Sequence, residues 1–357
     1  MNDAVLEIRG LTKTYAAGGG LLRAAARATV VEDVSFDVRR GGTFGLVGES
    51  GSGKSTIARL ALRLIEADAG AIRFDGTDIR AADARALKRL RRRIQIVFQD
   101  PFSSLDPRVR IGRAIAEPIR LHGLRPPGAI RDRVVELLET VGLGAPQADR
   151  FPHEFSGGQR QRIAIARALA VEPDLIVCDE AVSALDVSIQ AQILNLLADL
   201  QARLGVSLLF ISHDMAVVRH LATDVGVLYA GRLVESGPAP RVFGDPRHPY
   251  TRGLLAATPN PVPGARAATA SLAGEPPSPF AKAPGCAFVS RCPDRIGRCE
   301  TERPPADAFS AGGRVAACWR SAGLDARAAL SDSEALMSPA YRLRIGLLRD
   351  ARARADA

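Results

Sequence analysis

At 357 residues the chain exceeds the usual span of one domain, and 46% hydrophobic with only 5% aromatic residues implies a large core of aliphatic side chains. A formal net charge of +9 and a pI near 9.8 permit contact with nucleic acid or anionic lipid, or reflect a coding bias toward arginine and alanine. No run approaches the roughly 20 apolar residues of a membrane-spanning helix, and MNDAVLEIRG has no basic-then-apolar leader, so we expect a cytoplasmic chain that meets a membrane only through its surface or partners.

The first strong signal along the chain is an apolar run at 43–47 (TFGLV), then Gly48 to Thr56 (GESGSGKST), then an apolar helical stretch at 57–65. The middle piece fits G-x-x-x-x-G-K-[ST] in the strand-to-helix context that motif requires. Gly48, Gly51 and Gly53 let the loop amides, with Glu49, Ser50 and Ser52 between them, converge on phosphate oxygens without Cβ obstruction. Lys54 then neutralises charge on the β- and γ-phosphates; Ser55, with Thr56 beside it at the helix start, can ligate Mg²⁺.

Buried strands are expected at 94–98 (IQIVF), 175–178 (LIVC), 207–211 (SLLFI) and 225–229 (VGVLY). A helix is expected over 187–204, with Ile189, Ile193, Leu196, Leu197, Leu200 and Leu204 as its apolar stripe and Asp186 as its cap. Strands alternating with helices argue for an α/β domain with a largely parallel sheet. Asp179 and Glu180 close the second of those strands. A metal held at the phosphate loop needs a carboxylate from a neighbouring strand end, which Asp179 supplies, and Glu180 is placed to orient or deprotonate an attacking water. Between loop and acids lies Phe155-Ser156-Gly157-Gly158-Gln159, a second glycine-rich turn opening a second helix. One nucleotide needs one phosphate loop, so this turn can serve another subunit's nucleotide.

The turn Ser156-Gly157-Gly158-Gln159 resembles the signature of the ATP-binding subunits of ABC transporters, with Phe155 where leucine is usual. The resemblance covers about residues 4 to 258. It implies a P-loop NTPase fold of the ABC ATPase type: a mostly parallel core sheet, an antiparallel N-terminal sheet and a helical signature subdomain. It also implies that Tyr15 stacks on adenine, that Gln99 senses Mg²⁺ and the permease, that Asp186 lies in the loop crossing the dimer, and that His213 contacts the γ-phosphate. Each taken alone has a plain alternative: Tyr15 a half-buried aromatic, Gln99 a surface residue, His213 a satisfied core histidine. Two ATP molecules would be sandwiched head to tail, each between one chain's phosphate loop and the other's Ser156-Gly157-Gly158-Gln159, with Glu180, His213 and Gln99 as the catalytic set and Ser55, Gln99 and Asp179 around Mg²⁺.

Residues 102–108 (FSSLDPR), His153-Glu154-Phe155 and 247–255 (RHPYTRGLL) are similar to the oligopeptide and dipeptide importer branch. That branch's C-terminal extension is matched by Gly285-Cys286-Ala287-Phe288, Arg291-Cys292-Pro293, Cys299 and Cys318, without the histidine usual before the last cysteine. The expected layout is an ATPase domain at 1–258, an extension with four cysteines at 259–322, and an Ala- and Arg-rich helical tail at 323–357. Four thiolates can hold a [4Fe–4S] cluster, as some relatives are thought to do; reduced packing cysteines, zinc and a disulfide stay open. Cys178 reads as core.

The implied function is ATP hydrolysis that energises peptide import. The implied partners are a second ABC ATPase subunit, two integral membrane permeases and an extracytoplasmic solute-binding protein, with this chain peripheral at the cytoplasmic face of the inner membrane. Similar systems carry nickel, opines, oligosaccharides or glutathione. A soluble ABC ATPase acting on nucleic acid is the alternative that the basic run Lys88-Arg89-Leu90-Arg91-Arg92-Arg93 would favour; its plain alternative is a solvated helix face. An exporter is disfavoured by the C-terminal extension.

Overall fold

The computed structural model describes residues 3–17, 26–100, 104–258, 272, 274–278, 280 and 284–324. The expected helical tail beyond 324 and most of the proline-rich stretch after 258 lie outside them, as do residue 101 and the first two residues, 102 and 103, of the FSSLDPR segment.

The chain opens with two long strands, β1 (Ala4–Ala17) and β2 (Ala26–Arg39), paired antiparallel. Val34, Phe36 and Val38 of β2 are buried at period 2 while the residues between them face outward. β4 (Ala69–Phe74) and β5 (Thr77–Asp78) complete a four-stranded antiparallel sheet in the order β2-β1-β4-β5. That sheet is the N-terminal one the resemblance implied.

The second sheet has eight strands. Its centre runs β9 (Asp224–Tyr229), β3 (Thr43–Val47), β8 (Ser207–Ser212), β7 (Leu175–Asp179) and β6 (Ile94–Val97), every neighbouring pair parallel. β3, β7 and β8 are buried at every position. A parallel sheet is covered on both faces, so its strands read as continuous apolar runs. Alternate residues confirm the two faces. Ile176, Cys178, Leu208 and Phe210 join a cluster with helices α3 (Ile111–Leu121), α4 (Ile130–Thr140), α5 (Gly157–Leu169) and α6 (Val187–Leu204). Leu175, Val177, Leu209 and Ile211 join a second cluster with α1 (Lys54–Ala61) and the antiparallel sheet. Helices α3, α4 and α5 pack on one another as the helical subdomain that carries the second glycine turn.

α6 spans the expected residues, but its buried face is Ile193, Leu194, Leu197 and Leu200, and Leu204 is exposed. Asp186 sits at the N-cap position, yet its side chain makes no cap hydrogen bond, so the expected capping role is corrected. α2 (Ala84–Arg93) carries the basic run; Arg93 pairs with Asp75 and Asp174, and Arg91 donates to the Arg63 carbonyl at 2.9 Å. Those two arginines are engaged inside the chain rather than presented as a free basic face.

The C-terminal part continues the same sheet. β10 (Arg232–Pro238) runs antiparallel to β9, and the hairpin β11 (Phe309–Ala311) and β12 (Arg314–Ala316) adds to β10's outer edge. Between lie α7 (Met215–Leu221) before β9, and α8 (Ala239–Gly244) and α9 (Pro249–Ala257) after β10. His248 caps α9: its Nδ1 accepts from the Tyr250 amide at 3.1 Å, so the ring is neutral with its proton on Nε2. Full burial holds its pKa down at about 3. Its own amide donates at 2.9 Å to Glu235, whose buried carboxyl is pushed up to about 7.

The two groups act oppositely with pH. His248, depressed below its unfolded value, contributes stability that is present above about 6.5 and lost as pH falls; Glu235, raised, contributes stability that is lost as pH rises through about 7. His248→Asn keeps an N-cap acceptor but does not titrate. Relative to wild type it therefore gains about 2 kcal/mol between pH 7 and pH 5, from roughly 1.5 pH units below the unfolded histidine pKa. Denaturant titrations at the two pH values measure this; a constant difference between variant and wild type would refute it.

Candidate active site

β3, β7 and β8 end side by side, and open α/β sheets bind ligands at that edge. Gly48 leaves β3 there with φ of 157°, and a Cβ on it would lie 2.1 Å from the Leu228 carbonyl oxygen. Only glycine fits without displacing β9. Gly53, left-handed at φ 107°, starts α1, whose first turn no side chain caps. An uncapped helix start suits an anion.

Lys54 is 3% exposed. Its Nζ donates to the Gly48 and Glu49 carbonyls at 2.8 Å each and lies 3.9 Å from the Glu180 carboxylate. Ser55 Oγ donates to Asp179 Oδ1 at 2.8 Å. Burial lowers the Lys54 pKa, opposed by Glu180, Asp179 and Glu49. Burial also raises the Asp179 pKa, opposed by the Ser55 hydroxyl. Both shifts have one cause: each charge is held out of water, and its neighbours compensate for that only in part. A phosphate carrying Mg²⁺ satisfies both, and the all-oxygen pair Ser55–Asp179 is the donor set Mg²⁺ takes.

Glu180 follows β7 in a left-handed conformation, φ 50°. Such a conformation costs a non-glycine residue about 1–3 kcal/mol and persists only when its surroundings fix it. Here the Glu180 amide donates to the Ile211 carbonyl at 3.0 Å, while the Ser183 amide and hydroxyl both donate to the Glu180 carbonyl, at 3.1 and 3.0 Å. The result aims its carboxylate between Lys54 and His213, whose Nδ1 is 3.6 Å away. The His213 side chain is 52% exposed, which removes the core-histidine alternative.

Gln99 is exposed two residues beyond the end of β6, the strand beside β7, and so lies on the same sheet edge as Asp179. Tyr15 is 39% exposed near the end of β1, with Lys13 Nζ 5.5 Å from its ring centre. It pairs with Ala28, two residues along β2 from Val30, whose carbonyl would be 2.5 Å from a Cβ on Gly53. Its strand therefore flanks the phosphate loop.

Ser156, Gly157, Gly158 and Gln159 form a second group. Ser156 caps α5 in a reciprocal box: the Gln159 amide donates to Ser156 Oγ at 3.3 Å, and the Ser156 amide to Gln159 Oε1 at 3.0 Å. Gly158 is required by packing, since a Cβ there would sit 2.4 Å from Ile189 Cγ2. Gly157 likewise faces Leu185, so the turn stands against the 185–189 segment that includes Asp186. Ser156 and Asp186 are exposed.

Two functional contacts were not foreseen. Tyr250 Oη accepts from the Glu49 amide at 2.9 Å, and Arg291 makes a two-pronged ion pair with the Glu49 carboxylate at 2.7 and 2.8 Å. Both residues lie in stretches (RHPYTRGLL and Arg-Cys-Pro) that mark the branch in sequence without revealing a role.

The cysteine expectation fares differently. Cys286, Cys292, Cys299 and Cys318 line one small cavity with His248, Phe288 and Trp319, and all are free thiols. Burial raises Cys286 and Cys318 and pushes Cys292 up to about 12, which favours protonated sulfur. Among the described residues no group of three or more His, Cys, Asp or Glu is arranged to hold a metal ion. Nothing in this arrangement supports a [4Fe–4S] cluster. Cys178, fully buried in β7, is core.

Among the described residues no helix is long and apolar enough to cross a membrane. A family model described as ABC transporter matches residues 31–183, and one described as oligopeptide/dipeptide transporter, C-terminal region, matches 234–299. A peptide import ATP-binding protein of Brucella ovis is 51% identical over 300 residues, covering 84% of this chain and 93% of that one. A peptide ABC transporter ATP-binding protein of Sinorhizobium fredii is 49% identical over 319 residues, covering 89% and 90%. Among solved structures, the ATP-binding cassette MJ0796, in a post-hydrolysis dimer with ADP and Pi, aligns with a TM-score of 0.59 at 28% identity, covering 66% of this chain and 98% of that one. CbiO1 from Clostridium perfringens, part of the ABC transporter complex cbiONQ, aligns at 0.58 and 27% identity, covering 68% and 91%. With the phosphate loop, the strand-end acids and the signature turn all in one fold, the chain belongs to the ATP-binding subunits of ABC transporters, in their oligopeptide/dipeptide branch.

Proposed function

We propose that this chain hydrolyses ATP to energise a peptide importer, as one of two ATPase subunits docked on a pair of permeases at the cytoplasmic membrane face and fed by an extracytoplasmic binding protein. The observation that carries the catalytic reading is the convergence of Lys54, Ser55–Asp179, Glu180 and His213 on one sheet edge. The peptide cargo rests on the C-terminal match and on the relatives' names.

In this reading Lys54 gives up its carbonyl partners to the β- and γ-phosphates. Ser55, Asp179 and Gln99 would hold Mg²⁺, which would supply positive charge to neutralise the charge developing on the phosphates. Glu180 accepts the proton of the attacking water, and His213 donates toward the γ-phosphate. Tyr15 stacks on the base. Ser156, Gly157, Gly158 and Gln159, with Asp186 beside them, close over the nucleotide held by a second ATPase subunit, so neither half-site completes the transition state alone.

The test is capture of the Glu180→Gln variant, loaded with ATP, from native membranes in detergent. Two integral permeases and a second ATPase should come with it, and the permeases would report whether peptides or another of the branch's cargoes are carried. Recovery of ribosomes or DNA without membrane protein would overturn the importer reading.

A further inference from the structure

Glu49 is the residue through which the C-terminal extension reaches the phosphate loop. Its four polar groups are all engaged. The carbonyl accepts from Lys54 Nζ at 2.8 Å and from the Ser52 amide at 3.2 Å; the amide donates to Tyr250 Oη at 2.9 Å; the two carboxylate oxygens accept from Arg291 at 2.7 and 2.8 Å. Arg291 lies 242 residues further along, and its side chain is 4% exposed, with the guanidinium 5.8 Å from the Tyr229 ring centre and 5.9 Å from that of Phe288. A planar fork meeting a carboxylate two-pronged, walled by aromatic rings, is the geometry arginine holds and lysine cannot.

The electrostatics give the pair a purpose. Three carboxylates, Glu49, Asp179 and Glu180, act on the single Lys54. A polyanion has to bind among them. Asp179 and Glu180 have uses in the reaction; Glu49 has none, and its charge opposes the phosphates unless cancelled. Arg291 cancels it and fixes the residue whose carbonyl parks the lysine.

We propose that Arg291 is a positioning residue for nucleotide: by pairing with Glu49 it neutralises the phosphate loop's own carboxylate, so that the seating of the C-terminal extension sets this subunit's affinity for ATP. This rests on the loop being the ATP site, as proposed above. Unlike a strap that merely holds the extension down, a charge-cancelling pair predicts rescue. Arg291→Gln leaves Glu49 uncompensated and weakens ATP binding about tenfold, the order expected for one partly screened charge near a polyanion. Glu49→Gln/Arg291→Gln removes the offending charge and recovers most of that loss.

The experiment is calorimetric titration of the full chain with MgATP, for wild type, Arg291→Gln, Glu49→Gln and the double variant. Weak binding by Arg291→Gln with recovery in the double variant supports the proposal. Wild-type affinity in Arg291→Gln, or a double variant as weak as Arg291→Gln, overturns it. Should Arg291→Gln not fold, Glu49→Gln still decides: with Arg291 left in place it binds MgATP severalfold more tightly, and weaker binding overturns the idea. A wild-type chain that binds no MgATP would instead overturn the ATPase reading and this inference with it.

Discussion

Glu180→Gln abolishes steady-state ATP turnover, by about 10²–10⁴-fold, while leaving bound ATP in place; the range is that of a lost general base. The substitution is nearly isosteric and keeps the backbone contacts to Ile211 and Ser183, so the left-handed turn survives. Lys54 and the Ser55–Asp179 pair are untouched, so nucleotide affinity holds or rises, because one of the three carboxylates around Lys54 has lost its charge. Single-turnover phosphate release and retained ATP after gel filtration measure the two halves. Phosphate release at the wild-type rate would remove Glu180 from the chemistry, and loss of ATP with loss of turnover would mean the residue acts in binding. A companion variant isolates the strain. Glu180→Gly is as inactive as Glu180→Gln but is not obliged to hold a side-chain-bearing residue at φ 50°, which offsets glycine's larger unfolded-state entropy. A loss of stability above about 1 kcal/mol in Glu180→Gly relative to Glu180→Gln would show that the turn carries no strain.

What could be read in the sequence was what local pattern encodes. The four strands and the 187–204 helix were legible because a strand covered on both faces is a short apolar run, although the edge strand β6 proves only half-buried, and because a long helix has a periodic face. The phosphate loop was legible because its chemistry forces a fixed spacing. Asp186 misled because an aspartate before an apolar helix has the right type and position to cap, and its backbone even has the extended N-cap conformation, yet its side chain makes no cap hydrogen bond, which spacing does not show. The four cysteines were legible only as a cluster: the sequence left a [4Fe–4S] site, packing thiols, zinc and a disulfide open, and the fold brings them to one cavity as free thiols, with no metal-holding group among the described residues. The Glu49–Arg291 pair was invisible for a simpler reason. Its partners are 242 residues apart, and only the folding of the extension back across β9 and β10 brings them together.

The signature turn poses the sharpest remaining question, because Ser156 has a structural role sufficient to explain its presence. It caps α5, and the same geometry would be kept in a protein whose α5 met nothing. Ser156→Asp separates the two roles. Aspartate caps as well as serine does and adds a favourable charge at the helix N-terminus, so thermal stability stays within about 0.5 kcal/mol of wild type or rises slightly. In the proposed sandwich, however, Ser156 faces the γ-phosphate held by the second subunit. A carboxylate there replaces a hydrogen-bond donor with a like charge in a closing, water-poor interface. ATPase activity of the assembled complex should fall at least about 100-fold, a loss on the scale of a missing transition-state donor. ATP-dependent association of Glu180→Gln subunits, read by sedimentation, should be lost when Ser156→Asp is added. ATP binding to the isolated chain should not change, since Ser156 lies in the group at 185–189 and not in the one around Lys54. A variant that is stable, binds ATP and still turns over in the complex at the wild-type rate would leave Ser156 as a helix cap and nothing more. A variant that is stable and binds ATP but neither associates nor turns over would make the turn half of a shared catalytic site, which its cap geometry alone cannot account for.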